Sequence, residues 1–171
     1  MTLRAKNLVV ATLLFASPCL MRAAHADTAQ DTGARVAACL TAAAQNAHVA
    51  RGVMLVLLYV EGGRPGTVSP NTNGTADLGP MQVNTMWINK VAAHWHTTAD
   101  RAYVALRDNS CANIEAGSWI LGQSLAETHG DLWKAVAYYH SHTPKFGEAY
   151  LKQFYRIAST MMARAGRDDR S

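Results

Sequence analysis

Arg51-Gly52-Val53-Met54-Leu55-Val56-Leu57-Leu58-Tyr59-Val60-Glu61-Gly62-Gly63 joins an unbroken apolar run to an abrupt stop. The run predicts a helix from about Ala50 to Glu61, apolar nearly all round and therefore buried at the centre of a small domain. Gly62-Gly63 and Pro65-Gly66 end it. It is too short to span a bilayer, which takes about 20 apolar residues. Glu61 sits badly with local physics. The carbonyls at a helix C-terminus already carry partial negative charge, and no cation stands beside it in sequence. Apolar surroundings and the helix end both favour the protonated carboxyl, which is what a general acid needs near neutral pH. On this feature alone, a surface glutamate reaching water at the helix end is an equally good reading.

Outward from that helix the chain reads as helical. Thr32 is placed to cap a first helix with Val36, Leu40 and Ala43 or Ala44 at helical spacing. After Glu61 the composition turns to Ser, Pro, Asn, Thr and Gly from Thr67 to Gly79, a long loop with a small hairpin around Asn73-Gly74. Helical pattern resumes over Thr85 to His94. Asp100 caps a segment carrying Tyr103, Leu106 and Arg107, and Asn113 to Thr128 follows with Ile114, Gly117, Ile120, Leu121 and Leu125 on one face. Two further helices run from Leu132 to about Ser141 and from Phe146 to about Arg164, the last with Tyr150, Phe154, Ile157 and Met161 in register. The charged tail, 166–171, is expected to fray. The fold class is all-α, α+β at most: a single domain over 27–165 with a long loop or small hairpin lining a cleft. Long loops between strong helices are usually functional or disordered; this position favours function.

The N-terminus reads as a leader. Arg4 and Lys6 precede the short apolar run Leu8 to Leu20, and Ala24-His25-Ala26 gives a small-x-small cleavage site, so 1–26 is assigned as a signal peptide with the mature chain starting near Asp27. No membrane anchor remains after cleavage, and the expected compartment is the periplasm. The formal charge of +4 rests on 16 basic and 12 acidic residues. Loss of Arg4, Lys6 and Arg22 removes nearly all of it, so no nucleic-acid partner is expected. Cleavage also removes Cys19 and leaves Cys39 and Cys111 as an even pair, a disulfide in an oxidising compartment.

The segment after the acid is rich in amides: Asn71-Thr72-Asn73-Gly74-Thr75-Ala76-Asp77-Leu78-Gly79-Pro80-Met81-Gln82-Val83-Asn84. Such groups suit a neutral, hydroxyl- and acetamido-rich sugar, although a turn that merely joins helices has the same composition. Taken in order, Glu61, then Asn73 to Asn84, then Trp133-Lys134-Ala135-Val136-Ala137-Tyr138-Tyr139 resemble the soluble lytic transglycosylase family. Its pattern is a helix-ending Glu-Ser, a Gly-Leu-Met-Gln-Ile-Asn segment and a later Ala-Tyr-Asn. The likeness covers about residues 35 to 145. Cys111 leading into Asn113-Ile114, Gly117 and Trp119-Ile120-Leu121, with the paired cysteines, is similar to the subgroup that accompanies type III and type IV secretion, conjugation and pilus machines.

The resemblance implies a lysozyme-like fold, peptidoglycan glycan strands as substrate, and Glu61 as the single catalytic acid and base. That acid would cleave the β-1,4 bond between N-acetylmuramic acid and N-acetylglucosamine and leave 1,6-anhydro ends. It implies that Gln82 and Tyr139 hold the sugar and the acid, and that Met81, Asn84, Gly79 and His140 belong to the binding cleft, with no cofactor and no metal. Gly62 stands where the family has Ser, and His140 where it has Asn. Two other outcomes stay open: a hydrolytic muramidase using Asp77 as a second carboxyl, and a peptidoglycan-binding assembly factor of weakened activity. Asp77 is expected to bond backbone groups of its own turn. The pairs His94/His96 and His140/His142 lack the further ligands that a zinc site needs. Trp87, Trp95, Trp119 and Trp133 are core or sugar-stacking candidates.

Overall fold

A computed structural model describes residues 18–168 of the chain. The expected leader lies outside the described residues as far as position 17, as do 169–171 of the tail. The chain divides into two units at Ala34. What is described of the first is helix alone, the opening part of α1 (Pro18–Asn46). The second, Arg35–Ser171, holds the remaining elements. These are α2 (Arg51–Glu61), β1 (Val68–Pro70), β2 (Ala76–Leu78), β3 (Val83–Asn84), a 3-10 turn (Thr85–Trp87), α3 (Ile88–His94), α4 (Ala99–Asp108), α5 (Ser110–Glu127), α6 (Leu132–His140) and α7 (Pro144–Asp168). Helix dominates and one small sheet interrupts it, as the sequence predicts for this lysozyme-like class.

Several helix starts differ from the sequence reading. Thr32 stands inside α1 rather than at its beginning; no proline follows Pro18 in this helix, and its many alanines favour continuation. Thr98, not Asp100, caps α4, accepting from the Arg101 amide at 3.3 Å; Asp100 lies within the first turn, where its charge opposes the helix dipole. Asn109 caps α5 through the amides of Cys111 and Ala112 at 3.0 and 3.1 Å, so that helix starts earlier than Asn113. Asp131 caps α6, which starts at Leu132 as expected, accepting from Lys134 N. Helix α7 continues past Arg164 to Asp168.

The central helix is α5 and not α2. Met54, Val56 and Leu57 of α2 are buried, but Tyr59 is 59 % exposed. On α5, Asn113, Ile114, Ala116, Gly117, Ser118, Ile120, Leu121 and Ser124 are all buried. Small side chains decide this, because they let neighbouring elements come close. A Cβ on Gly117 would lie 3.0 Å from both the Met81 methyl and the Tyr139 hydroxyl. Helix α5 packs on α4, α6 and β3, while α6 packs on α7 and α7 returns to α2. The C-terminal part of α1 is fastened to α5 twice, by the Cys39–Cys111 disulfide and by Ser118 Oγ donating to the Ala43 carbonyl at 2.9 Å.

The loop after α2 folds into an antiparallel sheet in the order β1-β2-β3. The expected hairpin is present, with Ser69 opposite Asp77 and Asn71–Thr75 as its turn, where Gly74 takes φ +82°. The third strand pairs Asp77 with Asn84 and Leu78 with Val83. At two residues it is too short to show alternation in sequence.

Asn113 fixes where this sheet sits. Fully buried on α5, it donates to the carbonyls of Leu78 and Leu106, both at 2.8 Å, and accepts from the Met81 amide at 2.6 Å. The Leu78–Met81 segment is thereby tied to both α4 and α5. Gly79 must be glycine, since it takes φ +65° and a Cβ there would fall 2.3 Å from the Leu106 carbonyl oxygen. Each hydrogen bond contributes about 1 kcal/mol, and each buried group left unpaired costs about 1–3 kcal/mol. Asn113→Ala should therefore destabilise the protein by about 4 kcal/mol in urea unfolding. Asn113→Asp should also lose most of this, because it retains the acceptor but neither amide donor. Removing the disulfide, which closes a separation of 72 residues, should cost a comparable amount, about 4 kcal/mol in the chain-entropy account.

Candidate active site

Glu61 is the last residue of α2, and Gly62 turns the chain away in the left-handed conformation, φ +63°, with its amide bonded to the Leu58 carbonyl. The carboxyl faces a cleft of about 480 Å³ between the sheet, the middle of α5 at Ile120 and the end of α6. Asn71, Asn73, Asp77, Gln82, Asn84, Trp87, Tyr138, Tyr139, His140 and His142 also line it. Four residues singled out in the sequence beside Glu61, namely Gln82, Asn84, Tyr139 and His140, are thus brought together from three separate segments.

Met81 and Gly79 are not in the cleft wall; both are buried beneath it. Met81 fills the space against Gly117, and its carbonyl accepts from the Tyr139 hydroxyl at 3.0 Å. The reason is alternation. With Leu78 and Val83 inward and Asp77, Gln82 and Asn84 outward, the chain between them has to plunge into the core to be clamped by Asn113. Gln82 follows at φ +47°, its amide nitrogen donating to the Gly79 carbonyl at 2.8 Å. Gly63 packs against this turn so closely that a Cβ would lie 2.1 Å from the Gly79 oxygen. A left-handed non-glycine residue is uncommon and costly. Here it aims the Gln82 side chain at the cleft.

Burial raises the Glu61 pKa from the ordinary 4.5 to about 7, and the charge of Asp77 pushes the same way. One group opposes them: the Tyr150 hydroxyl donates a short hydrogen bond to Glu61 Oε1. Tyr150 belongs to α7 and is 5 % exposed. Its own pKa, like that of Tyr139, is pushed upward by burial and by the Glu61 charge, so both phenols stay protonated donors. In sequence Tyr150 shows only as one position in the apolar stripe of the last helix. The available signal was its hydroxyl, since a tyrosine at a core position needs a partner for it.

Asp77 bonds side chains rather than the backbone of its turn. Its oxygens accept from Asn84 Nδ2 at 2.7 Å and Asn71 Nδ2 at 3.0 Å, and the same two amides reach Thr75 Oγ1. Asn84 Oδ1 meanwhile caps the 3-10 turn through the Met86 amide. Asp77 therefore fastens the two outer edges of the sheet together. Three of the histidines in those pairs are also engaged. His94 pairs with Glu115 and stacks on Trp119, His142 pairs with Glu127, and His140 stacks on Tyr150. Among the described residues no three of His, Cys, Asp and Glu are grouped as a metal site would need. Of the tryptophans, Trp87 lines the cleft with Trp119 edge-on behind it at 5.9 Å, while Trp133 packs on Phe154 and Tyr155.

The arrangement can deliver a proton near neutral pH from one buried carboxyl into a cleft walled by amides, phenols and an indole. A family model described as the transglycosylase SLT domain matches residues 38–150, a span that takes in Glu61, the sheet, α6 and Tyr150. No curated protein matches the chain.

An acid whose pKa is higher in the folded state than in the unfolded one favours folding only while protonated. The penalty for Glu61 appears as pH rises from 4.5 through about 7 and reaches at most about 3 kcal/mol. Glu61→Gln should accordingly be more stable than wild type at pH 8 and equal to it near pH 4, as read by thermal unfolding. Tyr150→Phe removes the opposing donor, so the Glu61 titration followed by side-chain NMR should move to higher pH.

Proposed function

The chain belongs to the transglycosylase SLT domain family, and on that premise we propose that Glu61 is its single acid and base. Its members are lytic transglycosylases acting on peptidoglycan, and so is this chain, which therefore works outside the cytoplasm. The observation that carries the assignment is the pairing of a carboxyl held near pKa 7 with a second carboxyl already engaged. Of the residues lining the cleft, Glu61 and Asp77 are the only two acids, and Asp77 has both oxygens on asparagine amides.

Protonated Glu61 donates to the oxygen between N-acetylmuramic acid and N-acetylglucosamine. As the C1–O bond breaks, the acetamido group of the muramic sugar supports the positive anomeric carbon, the substrate-assisted exception to two-carboxylate glycosidases. Glu61, now a carboxylate stabilised by the Tyr150 hydroxyl, takes the proton of the C6 hydroxyl. That oxygen closes on C1, leaving a 1,6-anhydro end and restoring the acid. The Glu61 pKa near 7 suits both halves, because the group must give and regain one proton at the same pH. Gln82, Asn71, Asn73 and Tyr138 offer the polar contacts for the glycan and Trp87 an apolar face. Tyr139 acts from below by holding the Met81 carbonyl. Gly62 leaves the position after the acid without a hydroxyl, which lowers the rate rather than changing the reaction.

Location and partners follow from sequence. Residues 1–26 act as a cleavable leader to the periplasm, supported by the charged start, short apolar run and Ala24-His25-Ala26. No described helix is long and apolar enough to cross a membrane. Local opening of murein for a secretion, conjugation or pilus apparatus is the biological role we favour, on the strength of the paired cysteines and the Asn113 to Leu121 segment. The exported protein should begin at Asp27 on N-terminal sequencing; an intact Met1 would overturn the leader.

Purified sacculi digested with wild type should yield 1,6-anhydro muramic ends by mass spectrometry, and Glu61→Gln should release at least a hundredfold less. Reducing muramic ends would instead make the enzyme a hydrolase. Binding without product would leave a peptidoglycan-binding assembly factor, and equal activity in Glu61→Gln would remove Glu61 from the mechanism.

A further inference from the structure

His140 is the last residue of α6 and stands in the cleft wall. Its imidazole lies flat on the phenol of Tyr150, with ring centres 4.7 Å apart and planes 5° from parallel. Tyr150 is the residue whose hydroxyl meets Glu61. The other cleft side chains with amides are placed to meet a sugar or are bonded within the sheet. His140 instead presents a whole ring face to another side chain, one step removed from the acid. Only three residues, 141–143, join α6 to α7, and Gly147 lets the two helices meet at that corner. A Cβ on Gly147 would come within 3.1 Å of both the Ala137 methyl and the Ser141 carbonyl. The ring stack is therefore built into a tight helical corner.

We infer that His140 is a positioning residue, which acts on the reaction by holding the Tyr150 hydroxyl against Glu61 and not by contacting the glycan. This rests on the reading of Glu61 as the acid. A phenol on a helix turns about its side-chain bonds, and its hydroxyl, at the far end of the ring, moves most. A flat ring parallel to the phenol blocks that turning and keeps water off the Tyr150–Glu61 hydrogen bond. A misplacement of about 1 Å in such a contact can lower a rate by about a hundredfold. Burial also lowers the His140 pKa, so the ring rests neutral on the phenol at neutral pH, although Asp77 pulls the other way. Glu61, Asp77, Tyr138, Tyr139 and His142 are the other titratable groups lining the cleft among the described residues, and Tyr150 faces the ring from α7. What matters in the side chain is its flat ring, and an asparagine cannot supply one.

Three substitutions separate the ring from its nitrogens. His140→Phe keeps the stack and should retain kcat and KM on sacculi within about threefold. His140→Ala and His140→Asn lose it and should each lower kcat at least tenfold with KM little changed. The companion measurement is the Glu61 titration by side-chain NMR. His140→Ala should shift it upward, in the same direction as Tyr150→Phe, and should add no further shift in the Tyr150→Phe background, where there is no hydroxyl to place. A raised KM in His140→Phe, with His140→Asn behaving as wild type, would overturn the inference in favour of a sugar contact. So would a Glu61 shift from His140→Ala that persists in the Tyr150→Phe background. Circular dichroism and melting of each variant show whether it is folded, and the titration reads Glu61 directly in any folded variant. Failure of the Glu61 reading shows separately, as sacculus digestion by Glu61→Gln.

Discussion

A buried asparagine makes the cleft possible. Asn113 meets two carbonyls and one amide from the backbone of the Leu78–Met81 turn and the end of α4, groups that no regular secondary structure would satisfy there. Buried backbone groups without partners are rare because each costs as much as a lost hydrogen bond. One amide side chain, with two donors and an acceptor, answers all three at once. Its geometry then dictates the rest. Gly79 has to be left-handed, Met81 has to face the core, and Gln82 emerges from the turn into the cleft wall. Among the described residues no buried side-chain nitrogen or oxygen is left without a hydrogen-bond partner.

The same economy separates the two carboxyls. Glu61 and Asp77 share one cleft, and each disfavours the charge of the other. Asp77 receives two amide donors, from Asn71 and Asn84, which hold it within the sheet. Glu61 receives a single phenol and is otherwise desolvated by burial, and it keeps its proton to about pH 7. Asp77 is a tether between β2, the Asn71–Thr75 turn and β3, while the Glu61 carboxyl faces the cleft. The hydrogen bond from Tyr150 opposes that shift.

Much of this was legible one segment at a time. The apolar run ending at Glu61-Gly62 marked both a helix and its stop, because the left-handed cap at Gly62 is a local requirement. The Asn73-Gly74 turn and its hairpin were legible for the same reason. The pairing of Cys39 with Cys111 followed from the count of cysteines once the leader was set aside. Which helix lies at the centre was not legible. Apolar content pointed to α2, whereas close approach by small residues, Ala116, Gly117 and Ser118, puts α5 there. Met81 was misplaced because an apolar residue between polar ones can face either way until its register is known.

By itself the sequence determined that this is a helical domain with one acidic group ending an apolar helix and an amide-rich loop after it, since periodicity, caps and turn residues act over a few neighbours. Tertiary structure alone decided which partners that acid has. Tyr150 lies 89 residues along the chain from Glu61, and its own helix shows it only as a core position whose hydroxyl needs a partner somewhere. His140 gains its meaning only because a tight corner between α6 and α7 lays its ring on that phenol. Proton affinity depends on what surrounds a carboxyl in space, and contacts over such separations leave no periodic trace in a single sequence.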